Sequence, residues 1–136
     1  MINVKELMIG NLVNYRPGWI NEETNQVEYE CGTGFPVRIE MLYYSHGEGL
    51  VQYNDGENDG IEAAEYELFP IPLTPEILEK NFPEPTDGLT WFPEEGWFNC
   101  HTYVPKCEIN AFGLFKYVHQ LQNALRLCGI EKGIEL

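Results

Sequence analysis

The sequence predicts one small α+β domain, and three observations support that prediction. Short runs of alternating apolar and polar residues, separated by glycines, fill the first 70 residues and indicate short β-strands. Three prolines between positions 70 and 75 then mark a change of character. Near the end of the chain, apolar residues recur at spacings of four and three, as on one face of a helix; they are Leu114, Val118, Leu121, Leu125 and Cys128.

The predicted strands follow one another through the first half of the chain. Gly10 interrupts the first of them with a turn. Ala63 and Ala64 leave a short helix open near the last strand, although the aromatic residues after them favour a strand. Such a series predicts a meander that curls into a small sheet or an SH3-like barrel. The strands are expected at 7–15, 27–29, 37–42, 50–53 and 65–69.

A short linker helix is expected next, at 75–81. Thr74 is a suitable N-cap, Pro75 suits the first helical position, and Pro83 ends the helix. The segment that follows is rich in proline, glycine and aromatic residues, and we expect it to form a loop and then a strand near 97–104.

The last predicted element is an amphipathic helix over 110–128. Asn110 is an acceptable N-cap, Gly129 is a suitable terminator, and Arg126 lies in the last turn, where the helix dipole favours a cation. The apolar face should pack against the sheet. The prediction is therefore a single domain over 1–136, with a mainly β part at 1–70, a linker part at 71–109 and the helix at 110–129.

The chain carries a net charge of −14, and most of it lies in the middle. Residues 21–70 hold twelve acidic side chains against Arg38 alone, a net charge of −11. Such a field repels phosphate backbones and anionic membranes, so direct nucleic-acid binding and membrane attachment are not expected. Three interpretations stay open: the charge serves solubility, it docks on a protein partner with a basic surface, or it mimics nucleic acid.

The first 15 residues lack the basic segment and long apolar run of a signal peptide. The four cysteines, at positions 31, 100, 107 and 128, form no C-x-x-C pair. These features predict a cytoplasmic protein with reduced thiols, and they leave its oligomeric state open.

Three segments together resemble a known family. They are KELMIGNLV at 5–13, PIPLTPEIL at 70–78 and KYVHQLQNAL at 116–125. The chain is similar to an uncharacterised family of small proteins from gut anaerobes and their prophages, which carry E-L-R-I-G-N-x-V, P-I-P-L-T-E-E-x-L and V-H-Q-L-Q-N segments. Met8 stands where that family usually has arginine, and residues 82–109 have no counterpart. The resemblance implies a bacterial or phage origin, and because the family has no assigned activity it provides no catalytic or binding residues to carry over.

Two candidate metal sites are each incomplete. Residues 55–60 place acids at positions 1, 3 and 5 of a calcium-type loop, but position 12 is Tyr66 rather than glutamate. A hairpin turn at 54–60 is therefore predicted, with a weak calcium site as the alternative. Cys100, His101 and Cys107 lack the close pairing of structural zinc ligands. We therefore predict no metal and no cofactor.

Two groups of residues are candidate partner-binding surfaces. His119, Gln122, Asn123 and Arg126 form a polar stripe on the last helix, and Trp91 with Phe92 lies in a polar loop. Each group has an alternative interpretation, because the stripe can bond to a covering backbone and the aromatics can pack in the core.

For the whole chain we expect a non-catalytic accessory or protein-interaction module of a mobile element or prophage. An acidic inhibitor or DNA mimic and an enzyme of unrecognised type stay as alternatives. The enzyme would require a concave pocket that joins His46 or His101 to a carboxylate with a strongly shifted pKa.

Overall fold

The computed structural model describes residues 2–32, 34–81, 89–92, 97–104, 107–113, 115–127, 129 and 133–136. For residues 75, 89–92, 97–104 and 107–113 the description covers the backbone alone. The chain divides into two compact units, Met1–Ile71 and Pro72–Leu136. The single-domain organisation stays a prediction, as does the packing of the C-terminal helix on the N-terminal sheet.

The first unit consists almost entirely of antiparallel β-structure. Five of its strands form one sheet in the order β6-β5-β4-β1-β7, while β2 and β3 pair only with each other among the described residues. Two 3₁₀ turns, Val4–Glu6 and Glu65–Glu67, accompany the strands. The strands are β1 (Leu12–Tyr15), β2 (Gly18–Asn21), β3 (Gln26–Tyr29), β4 (Phe35–Ser45), β5 (Glu48–Asn54), β6 (Ile61–Ala64) and β7 (Leu68–Phe69).

The five-stranded sheet curls around a single apolar core. Along β5, Val51 and Tyr53 are buried while Leu50 and Gln52 are only half-buried, so alternate side chains point inward. A bulge between Ile39 and Met41 interrupts the register of β4 with β5 and bends the long strand. The buried core consists of Ile2, Val4, Leu7, Val13, Val37, Ile39, Val51, Tyr53, Ala63 and Leu68.

Two predicted strands of this unit have different bounds. The opening strand begins only at Leu12, because residues 8–11 form a turn in which the Asn11 side chain accepts the amide of Met8. The predicted strand at 65–69 is wrong in its first half. Glu67 folds back to accept the amide of Ala64, and this closes a 3₁₀ turn between β6 and the two-residue β7.

The connection between β4 and β5 is shorter than the gap between the predicted strands at 37–42 and 50–53. His46 and Gly47 both have positive φ angles, of 51° and 87°. This is the geometry of a two-residue type I′ turn, whose twist matches that of the flanking strands. As a result β4 and β5 extend as far as Ser45 and Glu48.

The second unit contains two helices and a three-stranded sheet. Helix α1 (Pro75–Asn81) has the predicted bounds, and the Thr74 hydroxyl accepts the amide of Ile77 as an N-cap should. The predicted strand at 97–104 is confirmed as β9 (Trp97–Val104). It lies between β8 (Leu89–Phe92) and β10 (Cys107–Gly113), and helix α2 (Val118–Leu127) follows.

The predicted helix over 110–128 is wrong in its first half. Asn110 lies in β10, opposite His101 of β9, instead of capping a helix. Helix α2 begins at Val118, where the side-chain carbonyl of Gln120 accepts the amides of Lys116 and Tyr117. The later half is confirmed: Arg126 lies in the last turn and Gly129, with φ of 74°, follows it.

The predicted apolar face of α2 is confirmed for Val118, Leu121 and Leu125, which are all buried. Leu114 and Cys128 lie outside the described residues. The C-terminal segment of this unit is fastened to α1 by Asn81, whose amide donates to the carbonyl of Glu135 at 2.7 Å and accepts the Glu135 amide at 2.8 Å.

Candidate functional site

The most exposed β-structure of the first unit is the hairpin of β2 and β3, which we call the β2–β3 arm (residues 18–29). Its register runs from Gly18 opposite Tyr29 to Asn21 opposite Gln26. An isolated two-stranded hairpin is marginally stable in water. The arm therefore depends on contacts at its base.

Two hydrogen bonds attach the base of the arm to the turn after β6. The Tyr29 hydroxyl donates to the Tyr66 carbonyl at 2.9 Å, and the Gly18 amide donates to Glu67 Oε1 at 3.1 Å. The Glu30 amide also donates to the Pro17 carbonyl and closes the hairpin beyond its last ladder pair. These bonds fix where the arm leaves the sheet.

Glu67 is the central acceptor of this attachment. Its Oε2 accepts the Ala64 amide at 2.9 Å, and its Oε1 also accepts the Tyr15 hydroxyl at 3.4 Å. Burial and, after it, the charge of Glu67 raise the pKa of the Tyr15 phenol. Tyr15 therefore stays a hydrogen-bond donor at neutral pH, and one carboxylate joins β1, β2 and β6.

The arm exposes two large apolar side chains among acidic ones. Trp19 is 48% exposed and Ile20 is 45% exposed, and as neighbours in a strand they lie on opposite faces of the hairpin. Glu22 and Glu23 occupy the tip, where the Asn21 side chain accepts the amide of Glu23. The tip is thus an ordered acidic turn beside an exposed indole.

Nine of the twelve carboxylates between residues 21 and 70 are exposed. Among the residues that the structure describes, none of the nine forms an ion pair with a lysine or arginine. These carboxylates therefore face solvent, and ion pairing within the described residues does not use their charge to stabilise the fold. They are Glu22, Glu23, Glu28, Glu30, Glu40, Glu48, Glu57, Asp59 and Glu62.

The loop at 54–60 is a hairpin turn, as predicted. Asp55 Oδ1 accepts the amides of Asn58 and Glu57 at 2.7 and 2.9 Å, and these hydrogen bonds lower the pKa of the Asp55 carboxyl. The carboxylate thus closes its own loop between β5 and β6. No three His, Cys, Asp or Glu residues in the described part of the chain are arranged to hold a metal. The side chains of the proposed zinc ligands Cys100, His101 and Cys107 are not among those described.

An open depression of about 420 Å³ lies beside the β4–β5 turn, lined by Ser45, His46, Glu48 and Glu62 among others. Ser45 Oγ and His46 Nδ1 are 3.0 Å apart. Among the described residues no carboxylate hydrogen-bonds to the His46 ring. In this part of the chain, the His46 ring thus lacks the carboxylate contact that orients the histidine of a catalytic triad.

The predicted partner-binding residues fall in different environments. His119 is only 1% exposed and its ring stacks on Tyr117, so it is not on the open surface. Gln122 and Asn123 are half-buried, while Arg126 is exposed. Trp91 and Phe92 lie in β8 rather than in a loop, and their side chains are outside the description.

The comparisons with known proteins provide no relative, since no family model, curated protein or solved structure matches this chain. Within the described residues there is also no helix with the length and apolar character needed to cross a membrane. The geometry of the chain itself must therefore carry any functional argument.

Proposed function

We propose that this chain is a non-catalytic protein-interaction module that binds a partner with a basic surface through the β2–β3 arm. One observation carries the proposal: Trp19 and Ile20 are about half exposed on a hairpin in which every charged side chain between residues 18 and 29 is acidic. Tryptophan is enriched at the centres of protein interfaces, where a charged rim surrounds it.

The arm suits binding because, in the described part of the chain, its hydrogen bonds to the rest of the unit lie at its base. Glu67 and Tyr66 hold only the base, so Trp19 and the tip are available to a partner. Its acidic side chains would steer a basic surface toward the arm before the indole is buried, since complementary charge speeds association. The resulting contact would be apolar at its centre and charged at its rim.

The wider setting of the proposal rests on the resemblance to small proteins of gut anaerobes and their prophages. We place the module in the cytoplasm, as an accessory protein of a mobile element. The curled five-stranded sheet supports an SH3-like barrel as its fold. Arg126 and its half-buried neighbours on α2 remain a second predicted contact surface.

Site-specific photo-cross-linking tests the proposal directly. We would replace Trp19 by p-benzoylphenylalanine, and in a matched control replace Tyr44, which is 56% exposed on β4. Irradiation of cells that express each variant should yield a discrete cross-linked species from position 19 and none from position 44. Equal cross-linking at both positions, or none at position 19, contradicts the proposal.

A second candidate function is an acidic inhibitor that mimics nucleic-acid charge. The nine exposed carboxylates without an ion pair in the described part of the chain favour it. Charge neutralisation separates the candidates. For the arm, Glu22→Gln with Glu23→Gln should weaken binding to the cross-linked partner more than Glu57→Gln with Asp59→Gln. A charge mimic predicts similar losses from both pairs.

A further inference from the structure

A second concave feature of the first unit lies at the base of the arm and differs in character from the acidic surface around it. It is a groove of about 320 Å³ with a mainly apolar lining. The described residues that line it are Asn14, Arg16, Gly32, Gly34 and Phe69. Its volume falls at the lower end of small-molecule pockets, which start at roughly 300 Å³.

Arg16 is held in position by two sets of contacts. Its Nε and Nη2 atoms donate to the Glu30 carbonyl at 3.4 and 3.2 Å. Its guanidinium carbon lies 5.0 Å from the centre of the Tyr29 ring, within the range of a cation–π contact. Tyr29 is itself fixed by its bond to the Tyr66 carbonyl and by an edge contact with Phe69, whose ring centre is 5.3 Å away.

Arg16 keeps an uncompensated positive charge among the described residues. No carboxylate in the described part of the chain lies within ion-pair distance of it, although residues 21–70 carry twelve acids. A guanidinium has five N–H donors, and Arg16 directs only two of its three nitrogens at Glu30. Nη1 and the second hydrogen of Nη2 therefore form a fork of the kind that binds a carboxylate in a bidentate manner.

We propose that this groove binds a small carboxylate carried on a planar apolar group. The Arg16 fork would hold the carboxylate, Phe69 would contact the apolar plane, and the Asn14 amide would supply a further polar contact. Because Tyr29 and the Glu30 carbonyl already fix the guanidinium, little side-chain freedom is lost on binding. The site is separate from the exposed part of the arm and does not depend on its proposed function.

Benzoate is the probe that tests this site, with benzamide as its uncharged counterpart and acetate as its counterpart without the ring. Two-dimensional amide NMR of the full chain would follow each titration. We expect benzoate to shift the amides of Arg16, Gly32, Gly34 and Phe69. Benzamide and acetate should each bind at least about tenfold more weakly, since a charge-assisted fork and the ring burial each contribute a factor of that order.

Variants separate the fork from general charge effects. Arg16→Gln should weaken benzoate binding about tenfold or more, since it removes the charge-assisted pair. Arg38→Gln changes the net charge equally at an exposed position of β4 and should leave binding unchanged. Phe69→Leu keeps the fork and should weaken benzoate binding but not acetate binding. A spectrum that is otherwise unchanged shows that each variant is folded.

Three results would overturn the assignment. They are benzoate shifts confined to amides far from the groove, benzoate affinity in Arg16→Gln equal to that of the original chain, and benzamide affinity equal to that of benzoate. If Arg16→Gln fails to fold, Arg16→Lys serves instead, because it keeps the charge and loses the fork, and unchanged affinity in that variant also contradicts the site.

Discussion

The five-stranded sheet and the β2–β3 arm use similar side chains for opposite purposes. In the sheet, Ile39 is 1% exposed and packs in a core to which five strands contribute. In the arm, Ile20 is 45% exposed and its strand pairs only with β3 among the described residues. The same residue type thus stabilises the fold in one region and remains at the surface in the other.

The difference indicates how this unit divides its apolar surface between folding and recognition. Burial of one Val, Leu or Ile side chain contributes roughly 1.5–3 kcal/mol, and strands β1, β4, β5 and β7 each bury at least one. The arm gains little stabilisation from apolar burial and is attached through hydrogen bonds to Glu67 and Tyr66. An apolar side chain that the fold leaves exposed is available to another molecule.

The largest expected difference between the sheet and the arm is in the stability lost when an isoleucine of each is truncated. Ile39→Ala should lower the free energy of unfolding by about 2–5 kcal/mol, because it opens a cavity in the core. Ile20→Ala should lower it by about 0.5 kcal/mol or less, as for most surface positions. Urea denaturation of both variants measures the difference. Similar losses would mean that the arm belongs to the core after all.

Glu67 offers the next largest effect, because it joins the two regions. Glu67→Ala should cost about 1–3 kcal/mol, since it leaves the Gly18 and Ala64 amides without their acceptor. The matched control is Glu65→Ala in the same 3₁₀ turn, which releases the Val4 amide instead. Hydrogen exchange should accelerate at Gly18 only in the Glu67 variant. Acceleration there in both variants would contradict a specific attachment.

A rise to alkaline pH should have the smallest effect on stability, and it tests Tyr15, which hydrogen-bonds to Glu67 where the sheet meets the arm. The raised pKa of the Tyr15 phenol means that, above pH about 10, the unfolded chain releases this proton more readily than the folded chain. The contribution of Tyr15 is therefore complete below that pH and is lost as the pH rises further. Urea midpoints at pH 8 and pH 11 should fall less in Tyr15→Phe than in the original chain; equal falls would exclude this contribution.

Local signals in the sequence predicted the elements whose ends are set by their own residues. Thr74 and Pro75 define the start of α1 by capping and by fixed backbone geometry, which need no distant partner. The Asp55 loop likewise closes on itself. The fold class and these two elements could therefore be predicted without any tertiary information.

Non-local pairing explains the elements that the sequence misplaced. The apolar spacing from Leu114 onward is compatible with a helix, but residues 107–113 pair along their whole length with β9. Hydrogen bonds to another strand outweigh weak helical propensity. No feature of the sequence within 107–113 indicates that β9 is that strand. The shortened α2 follows directly from this competition.

The candidate surfaces were the least predictable part. Trp19 is a large aromatic residue next to Ile20, and such residues are usually expected in a core, so its exposure depends on the separation of the arm from the sheet. Arg16 and Phe69 meet in one groove although they are 53 positions apart in the chain. The sequence predicted that the polar stripe lies on a helix, but it did not predict that His119 is buried.

The pairing of Tyr15 directly opposite Phe35 has a consequence for the history of this protein. Strands β1 and β4 are neighbours in the sheet, so the segment between them, residues 16–34, leaves the sheet and returns to it at the same place. A tight two-residue turn would complete the same hairpin. This segment can therefore be lengthened, exchanged or lost without a change in the strand order of the sheet. A lineage of such proteins could acquire new partners by varying this segment alone.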